Sequence, residues 1–535
     1  MMNLPQSAQA TMATASLKRR IAQSTGIVMA SVLVSRLLGF FREWTVAHQM
    51  GSNAVTDAYY AAFTLPDFLN YLVAAGSLSL TFIPVFAHYV AENREEEGWH
   101  VFSTVICFMG LVLVALVVAA EILAPQLVAV IAPGFSPAGK AHAIFLTRLM
   151  LPAQICFYLG SILSAVQYAK AQFVVPSLAP LVYNMAIILG GLLLSPWIGM
   201  TGFAVGVLAG AVMGNFLLQV YGSRRAGARF HPNFDLRHPG FRMFLKLAIP
   251  IMLALSLNFT DDWIIRWFGS YLQPASITWL SYAKSLMRVP LGVVGQAVGV
   301  ASFPFLAQLY SEKKFEELNR TLNATLKGLM LLLLPVSALT IAQSSPLVYL
   351  VFSHTRLRGL DFEATASTLA LFSLGMFGWG AQNILARGFY ATQNTLTPAV
   401  VGTVLTFLNL PVYWLLVRRE QHLGLALASS LGIIVYTVVL FLLLNRRIAN
   451  REVGSLLLFF GKVVAASALG ALGCFKVVAW LEARLNWRTT HGAFLLLVVA
   501  SLAGFLLTAA LAKLLRLREL DAYLKRVAVW SRVEL

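Results

Sequence analysis

Apolar residues fill this chain in long unbroken blocks, without the alternation of a half-buried strand or the one-sided stripe of a surface helix. Blocks of about twenty or more recur from end to end, each long enough to cross a hydrocarbon layer of about 30 Å. They fall near 24–48, 56–88, 100–132, 142–169, 176–195, 198–221, 241–269, 275–310, 321–352, 364–390, 397–417, 422–444, 455–481 and 491–514. The pattern predicts an all-α polytopic membrane protein with about 14 transmembrane helices. Several blocks exceed the minimum length, which predicts tilt or short extensions beyond the bilayer. The period-2 signature of a membrane barrel does not occur.

The pattern also repeats itself. Phe82-Ile83-Pro84-Val85-Phe86-Ala87-His88-Tyr89 with its charged run Glu92–Glu97 answers to Phe303-Pro304-Phe305-Leu306-Ala307-Gln308-Leu309-Tyr310 with Ser311–Glu317, about 220 residues later. Tyr168-Ala169 stands eight residues before Pro176, and Tyr390-Ala391 eight before Pro398. An offset of six spans preserves orientation. The expectation is therefore two six-helix lobes related by a pseudo-two-fold axis along the membrane normal, with two extra C-terminal helices. The boundaries read as an N-terminal lobe at 1–222, an inter-lobe link at 223–240 and a C-terminal lobe at 241–446. Spans 13 and 14 follow at 447–514, and an amphipathic tail at 515–535. Repeated halves in a membrane protein point to a transporter with its substrate site between them.

Only 12% of residues are charged, about half the fraction of a soluble chain, which agrees with the membrane class. The net charge of +18 is explained by topology. Lys18, Arg19 and Arg20, the cluster Arg224, Arg225, Arg229, Arg237 and Arg242, then Lys313, Lys314 and Arg320, and Arg446, Arg447 and Arg451 all fall on one predicted side. Loops such as Gly51-Ser52-Asn53 and Ser195-Pro196-Trp197 on the other are nearly uncharged, with Arg356, Arg358, Arg418 and Arg419 as exceptions. Both termini are thereby expected in the cytoplasm, and nucleic acid is not the expected partner. No cleavable leader is expected, because the first apolar stretch is long and contains Arg36. In the tail, Leu514, Leu517, Leu520, Leu524 and Val527 share a stripe interleaved with Arg516, Arg518, Lys525 and Arg526, the pattern of a helix lying on anionic lipid. Cys107, Cys156 and Cys474 sit singly in apolar runs and read as small core residues.

Charges inside the spans carry the candidate chemistry, since each costs roughly 2.5–3.5 kcal/mol to insert unless paired or hydrated. Span 1 holds Arg36, Arg42 and Glu43, with Arg36 and Glu43 on one face and Arg42 on another. Span 2 holds Asp57 and Asp67, span 7 Asp261, Asp262 and Arg266, and span 8 Lys284 and Arg288. As a functional set, Arg36, Arg42, Lys284 and Arg288 line a wet cavity and meet an anionic substrate, arginine forks suiting phosphate oxygens. Glu43, Asp57, Asp67, Asp261, Asp262 and Arg266 then form a gating or interhelical network. The competing reading pairs Arg36 with Glu43 and Arg266 with Asp262 purely to hold helices together. The stripe Gly202, Gly206, Gly210, Gly214 is expected to let another helix approach closely.

Near-motifs do not change this picture. Gly134–Ala141 nearly spells a P-loop, but Ala141 replaces the required Ser or Thr and no strand precedes it, so no nucleotide is expected. His231 and His238 lack companions with zinc-ligand spacing. No catalytic constellation suggests an enzyme, and no cofactor or metal is expected.

Ser35-Arg36-Leu37-Leu38-Gly39-Phe40-Phe41-Arg42-Glu43 resembles the opening motif of the MurJ/MviN family, lipid II flippases of the multidrug/oligosaccharidyl-lipid/polysaccharide exporter superfamily. The likeness continues through Thr56-Asp57-Ala58-Tyr59, Leu65-Pro66-Asp67, Ala132-Pro133-Gly134-Phe135, Phe173–Pro176 with Pro180 and Asn184, and Gly388–Ala391 with Thr397-Pro398. The resemblance implies two lobes of helices, a lipid-tail groove at the last two helices, and alternating access for lipid II or a related polyprenyl-diphosphate lipid. It places the chain in the bacterial cytoplasmic (inner) membrane, in contact with membrane lipids and driven by a coupling ion or the membrane potential. Arg36 and Arg42 match the family's cavity arginines and Asp57 its helix 2 aspartate. Two family positions differ: Asn70 and Tyr71, followed by Ala75-Gly76, replace helix 2 arginines and Glu-Gly. In helix 8, Lys284-Ser285 replaces Asp-Arg, so Lys284 or Arg288 is expected to supply the charge. These departures keep open an exporter of another lipid-linked oligosaccharide or of small molecules, or an inactive scaffold.

Overall fold

The computed structural model describes residues 6–74, 77–256, 260–450, 452–517 and 519. All regular structure among them is helical: α1 (Gln6–Met50), α2 (Ala54–Ala62), α3 (Thr64–Leu69), α4 (Ser77–Ala91), α5 (Glu95–Ile131), α6 (Pro137–Met150), α7 (Ala153–Ala169), α8 (Val174–Ile198), α9 (Thr201–Gly210) and α10 (Leu218–Arg225). After these come α11 (Pro239–Ser256), α12 (Thr260–Gly269), α13 (Ser276–Ser311), α14 (Phe315–Ala342), α15 (Ser344–Phe352), α16 (Gly359–Ala391), α17 (Leu396–Arg447), α18 (Val453–Glu482) and α19 (Thr490–Leu514). Among the described residues nine helical stretches have the length and apolarity to cross a membrane, which makes this a multi-pass membrane protein. The expected amphipathic tail falls outside the described residues except at 515–517 and 519.

Several expected spans are interrupted. Span 2 is α2, α3 and α4 in succession, with a wide π turn at Asn70–Ala74 just after Pro66. A second π stretch, Ala211–Leu217, joins α9 to α10. The Asn215 carbonyl there comes so near α7 that a Cβ on Gly160 would lie 2.0 Å from it. Spans 11 and 12 are the two arms of α17, which reverses at Gln421 (φ 50°, ψ −124°). The arms are clasped by Asn409 Nδ2 donating to the Ala428 carbonyl at 3.1 Å.

Two compact units emerge. The first comprises Met1–Thr45, Ala62–Ala129 and Lys140–Phe259, and the second Val46–Ala61, Val130–Gly139 and Thr260–Leu535. In the first, the glycine stripe does what its spacing predicts. A Cβ on Gly202, Gly206, Gly210 or Gly214 would lie 2.7–2.8 Å from backbone atoms of α8, so the two segments touch main chain to main chain. The polar segment after α10 is strapped to the start of α5. Arg229 pairs with Glu96, the His231 amide donates to Ser103 Oγ at 3.1 Å, and His100 meets Asp235 at 3.3 Å. The hydrogen bond from His100 holds the Asp235 carboxyl below its ordinary pKa. In the second unit α16 packs against α13 and α17, with Thr437 Oγ1 donating to the Gly378 carbonyl at 2.9 Å. The P-loop look-alike is a packing turn: the Gly134 amide donates to Ser270 Oγ at 3.1 Å. Cys474 is buried, while Cys107 and Cys156 are half-buried.

One turn is reused throughout. Asn93, Ala171, Gly227, Lys313, Gln393, Ala449 and Arg516 all have φ between 48° and 82°, each just past a helix end. At every one the next residue's amide reaches back five positions: Arg94 to Tyr89, Gln172 to Gln167, Ala228 to Ser223, Lys314 to Leu309, Asn394 to Phe389, Asn450 to Asn445 and Leu517 to Ala512, at 2.8–3.1 Å. These are Schellman caps, which satisfy carbonyls that a helix end leaves open. They close every second expected span. The first three and the next three are separated by the same repeat of about 220 residues seen in the sequence.

Candidate functional site

Span charges gather in three places. In the first unit, Arg42 folds its guanidinium over the next residue, Nη2 lying 2.7 Å and Nε 3.2 Å from Glu43 Oε1. Its Nη1 reaches Asn184 Oδ1 of α8 at 3.4 Å. Asn184 is held by its own bond to the Pro180 carbonyl at 2.9 Å, so α8 presents a fixed acceptor. Glu43 is 8% exposed, whereas the Arg42 side chain keeps 26% of its surface. A buried carboxylate thus steadies the guanidinium of a partly exposed arginine through charge-assisted hydrogen bonds. Helical spacing sets Arg42 on a different face from Glu43, but its long stem closes that gap. Arg36, half-buried, lies on α1 six residues before Arg42. Asp67 sits in the first turn of α3.

The second place joins α12, α13 and α17. Lys284 Nζ lies 2.9 Å from Asp261 Oδ2 and 2.6 Å from Asp262 Oδ1. Asp261 also accepts from Tyr413 Oη at 2.5 Å and from Ser429 Oγ at 3.0 Å, both on α17. Arg288, one turn beyond Lys284, approaches Asp262 Oδ2 at 3.5 Å. Lys284 is 9% exposed and committed to two carboxylates, while the Arg288 side chain keeps 54% of its surface. Of the two α13 cations, Arg288 is therefore the one able to meet a ligand without breaking a buried pair. Sequence reasoning does not single out Tyr413 or Ser429. A lone hydroxyl in an apolar run gives no signal until its partner is known.

Asp57 is the third. It is 3% exposed and accepts from the amides of Ala275 at 2.7 Å and Thr278 at 2.8 Å, and from Thr278 Oγ1 at 2.6 Å. Those groups open α13, so Asp57 is a long-range N-cap, favoured by the helix dipole as well as by hydrogen bonds. Tyr282 continues the contact one turn on, donating to the Gly51 carbonyl at 2.8 Å.

The all-helical, multi-pass fold seen among the described residues is shared with solved structures of the MOP superfamily. A multidrug resistance MATE transporter of that superfamily, in its inward-facing conformation, superposes with TM-score 0.61 at 15% identity, covering 79% of this chain and 98% of its own. The solved structure of lipid II flippase MurJ in an inward closed conformation superposes with TM-score 0.75 at 21% identity, covering 91% and 99%. The family model for lipid II flippase MurJ matches residues 46–502, and the chain belongs to that family. Relatives include the probable lipid II flippase MurJ of Buchnera aphidicola subsp. Acyrthosiphon pisum, 28% identical over 80% of this chain and 84% of its own. The lipid II flippase MurJ of Burkholderia cenocepacia is 27% identical over 86% and 90%.

Proposed function

We propose that this protein moves lipid II, a polyprenyl-diphosphate-linked peptidoglycan precursor, from the inner to the outer leaflet of the bacterial cytoplasmic membrane by alternating access. The family match over residues 46–502 carries this reading. In it the chain crosses the membrane fourteen times with both termini cytoplasmic. The Schellman-capped junctions, which carry Arg94, Arg224, Lys314 and Arg446, lie on the cytoplasmic side, where basic residues accumulate. Residues 1–222 and 241–446 form the two lobes, 223–240 the link between them, and 447–514 the helices that receive a lipid chain.

Arg36, Arg42 and Arg288 are the proposed diphosphate contacts, with Lys284 held on Asp261 and Asp262 one turn from Arg288. Arg42 is the best prepared, because Glu43 and Asn184 fix its fork. Asp57, Asp67, Asp261, Asp262 and Arg266 keep the helices in register. A single charge crossing 100 mV contributes about 2.3 kcal/mol, so a coupling ion or the potential itself is able to bias the cycle.

Complementation of a flippase-depleted bacterium tests the proposal. The intact chain is expected to restore growth, and Arg36→Ala or Arg42→Ala to abolish rescue at unchanged membrane levels. Rescue indifferent to both changes overturns the assignment of these arginines, and failure of the intact chain overturns the transport reading.

A further inference from the structure

The polar segment after α10 ends on a histidine that serves as a helix cap. The His238 carbonyl accepts from the Arg242 amide at 3.2 Å, opening the bond ladder of α11, and its Nδ1 accepts from the Gly240 amide at 3.1 Å. Pro239, between them, has no amide to satisfy and suits the first helical position. His238 is thus the N-cap of α11, a place ordinarily filled by Ser, Thr, Asp or Asn. Those oxygens keep accepting near neutral pH. An imidazole nitrogen accepts only while it carries no proton, and histidine is the side chain that changes charge between about pH 5 and 8.

Charged and titratable groups approach His238 from every side. Tyr89 of α4 has its ring centroid 6.1 Å away, and a Cβ on Gly240 would lie 2.7 Å from its hydroxyl. Arg94, paired with Glu92 at 3.0 Å and Glu97 at 2.6 Å, lies over the Tyr89 ring. On α5, the His100 ring is 5.5 Å from that of His238. The Glu97 carboxyl sits below its ordinary pKa, held first by the hydrogen bond from Arg94 and in lesser part by His238. Within the segment, the His238 amide donates to the Asp235 carbonyl at 3.3 Å, and Arg237 immediately precedes it. Arg242 follows one turn on.

The two histidines answer a proton differently. His100 Nε2 meets Asp235 Oδ2 at 3.3 Å, so a charged His100 pairs more strongly with its carboxylate. A charged His238 carries a proton on Nδ1, which sets one donor against the Gly240 donor. It also places a cation at a helix N-terminus, the end that repels it. The cap is therefore intact at higher pH and lost as pH falls, whereas the contact of His100 tightens.

We propose that His238 is a proton-operated cap. Neutral, it fixes the first turn of α11. Protonated, it releases that turn, while Arg229 with Glu96, His231 with Ser103 and His100 with Asp235 keep the preceding segment on α5. The device is independent of the transport reading, and a failed complementation assay leaves it standing.

Hydrogen exchange of the full-length protein in detergent tests it. Mass spectrometry follows peptides covering 240–246, normalised to peptides of α16, which contains no histidine. Between about pH 8 and about pH 5.5, exchange in the first turn of α11 is expected to rise about fivefold over the reference, the scale of one lost cap. His238→Asn, whose amide oxygen caps without titrating, is expected to stay protected at both pH values. His238→Ala is expected to show the raised rate at both, and His100→Gln to keep the response of the intact chain. The proposal is overturned if exchange in the intact chain does not change, if the rise persists in His238→Asn, or if it vanishes in His100→Gln.

Discussion

Asp57 holds the first turn of α13 through Thr278, 221 residues further along the chain, taking both its amide and its hydroxyl on one carboxylate oxygen. With the Ala275 amide on the other oxygen, this one side chain satisfies three donors in a place with almost no water.

Removing that cap leaves buried donors without acceptors. Asp57→Ala is expected to destabilise the protein by about 2–4 kcal/mol, the sum of a lost cap and unsatisfied amides. Asp57→Asn, which retains one acceptor oxygen, is expected to cost less than half of that. Thermal unfolding of the purified protein in detergent, followed by tryptophan fluorescence, ranks the two.

The Lys284 cluster is balanced by two carboxylates and fails if only one partner goes. Lys284→Met is expected to cost about 3–5 kcal/mol, because Asp261 and Asp262 are left together without their central cation. Adding Asp262→Asn is expected to recover at least half of the loss. A double-mutant cycle of unfolding midpoints measures the coupling, and strict additivity would show that the pair is energetically silent.

Backbone contact between α8 and α9 makes the glycine stripe sensitive to a side chain. Gly206→Val forces atoms into a 2.8 Å gap beside the Ala186 carbonyl and is expected to destabilise by about 1–3 kcal/mol. Gly454→Ala, which would meet nothing within 4 Å, serves as the control and is expected to leave the melting temperature unchanged or slightly raised.

At Ala449 the left-handed cap is imposed on a residue that disfavours it (φ 48°). Ala449→Gly is expected to stabilise by about 0.5–1 kcal/mol, the relief of the Cβ clash exceeding the entropy glycine gains when unfolded. The same melting experiment checks it, and a lowered midpoint would show that unfolded-state entropy outweighs the strain of the cap.

Spans, glycine stripe and repeat are legible in the sequence because each rests on a local rule: block length for the spans, four-residue spacing for Gly202 to Gly214, matching segments for the repeat. The break at Gln421 is legible as the gap between two apolar blocks, although its one-residue reversal is not. Partner choice is hidden. Helical geometry puts Arg36 with Glu43 on one face and Arg42 elsewhere, yet the stem of Arg42 brings its guanidinium to Glu43 and Asn184. Asp57 reads as a charge near a helix end, but its ligands lie more than two hundred residues away. Lys284 reads as a free cation because nothing local announces that Asp261 and Asp262 converge on it. Long-range pairing of charges is set by tertiary packing, which a periodic pattern does not encode.

The left-handed joints at Asn93, Ala171 and Gly227 recur at Lys313, Gln393 and Ala449, each with a residue different from its counterpart. Side chains at such a bend drift freely so long as the two backbone bonds that close it survive. What this molecule uses twice is therefore a way of turning corners: the same backbone geometry closes both sets of helices although the letters at the bends differ.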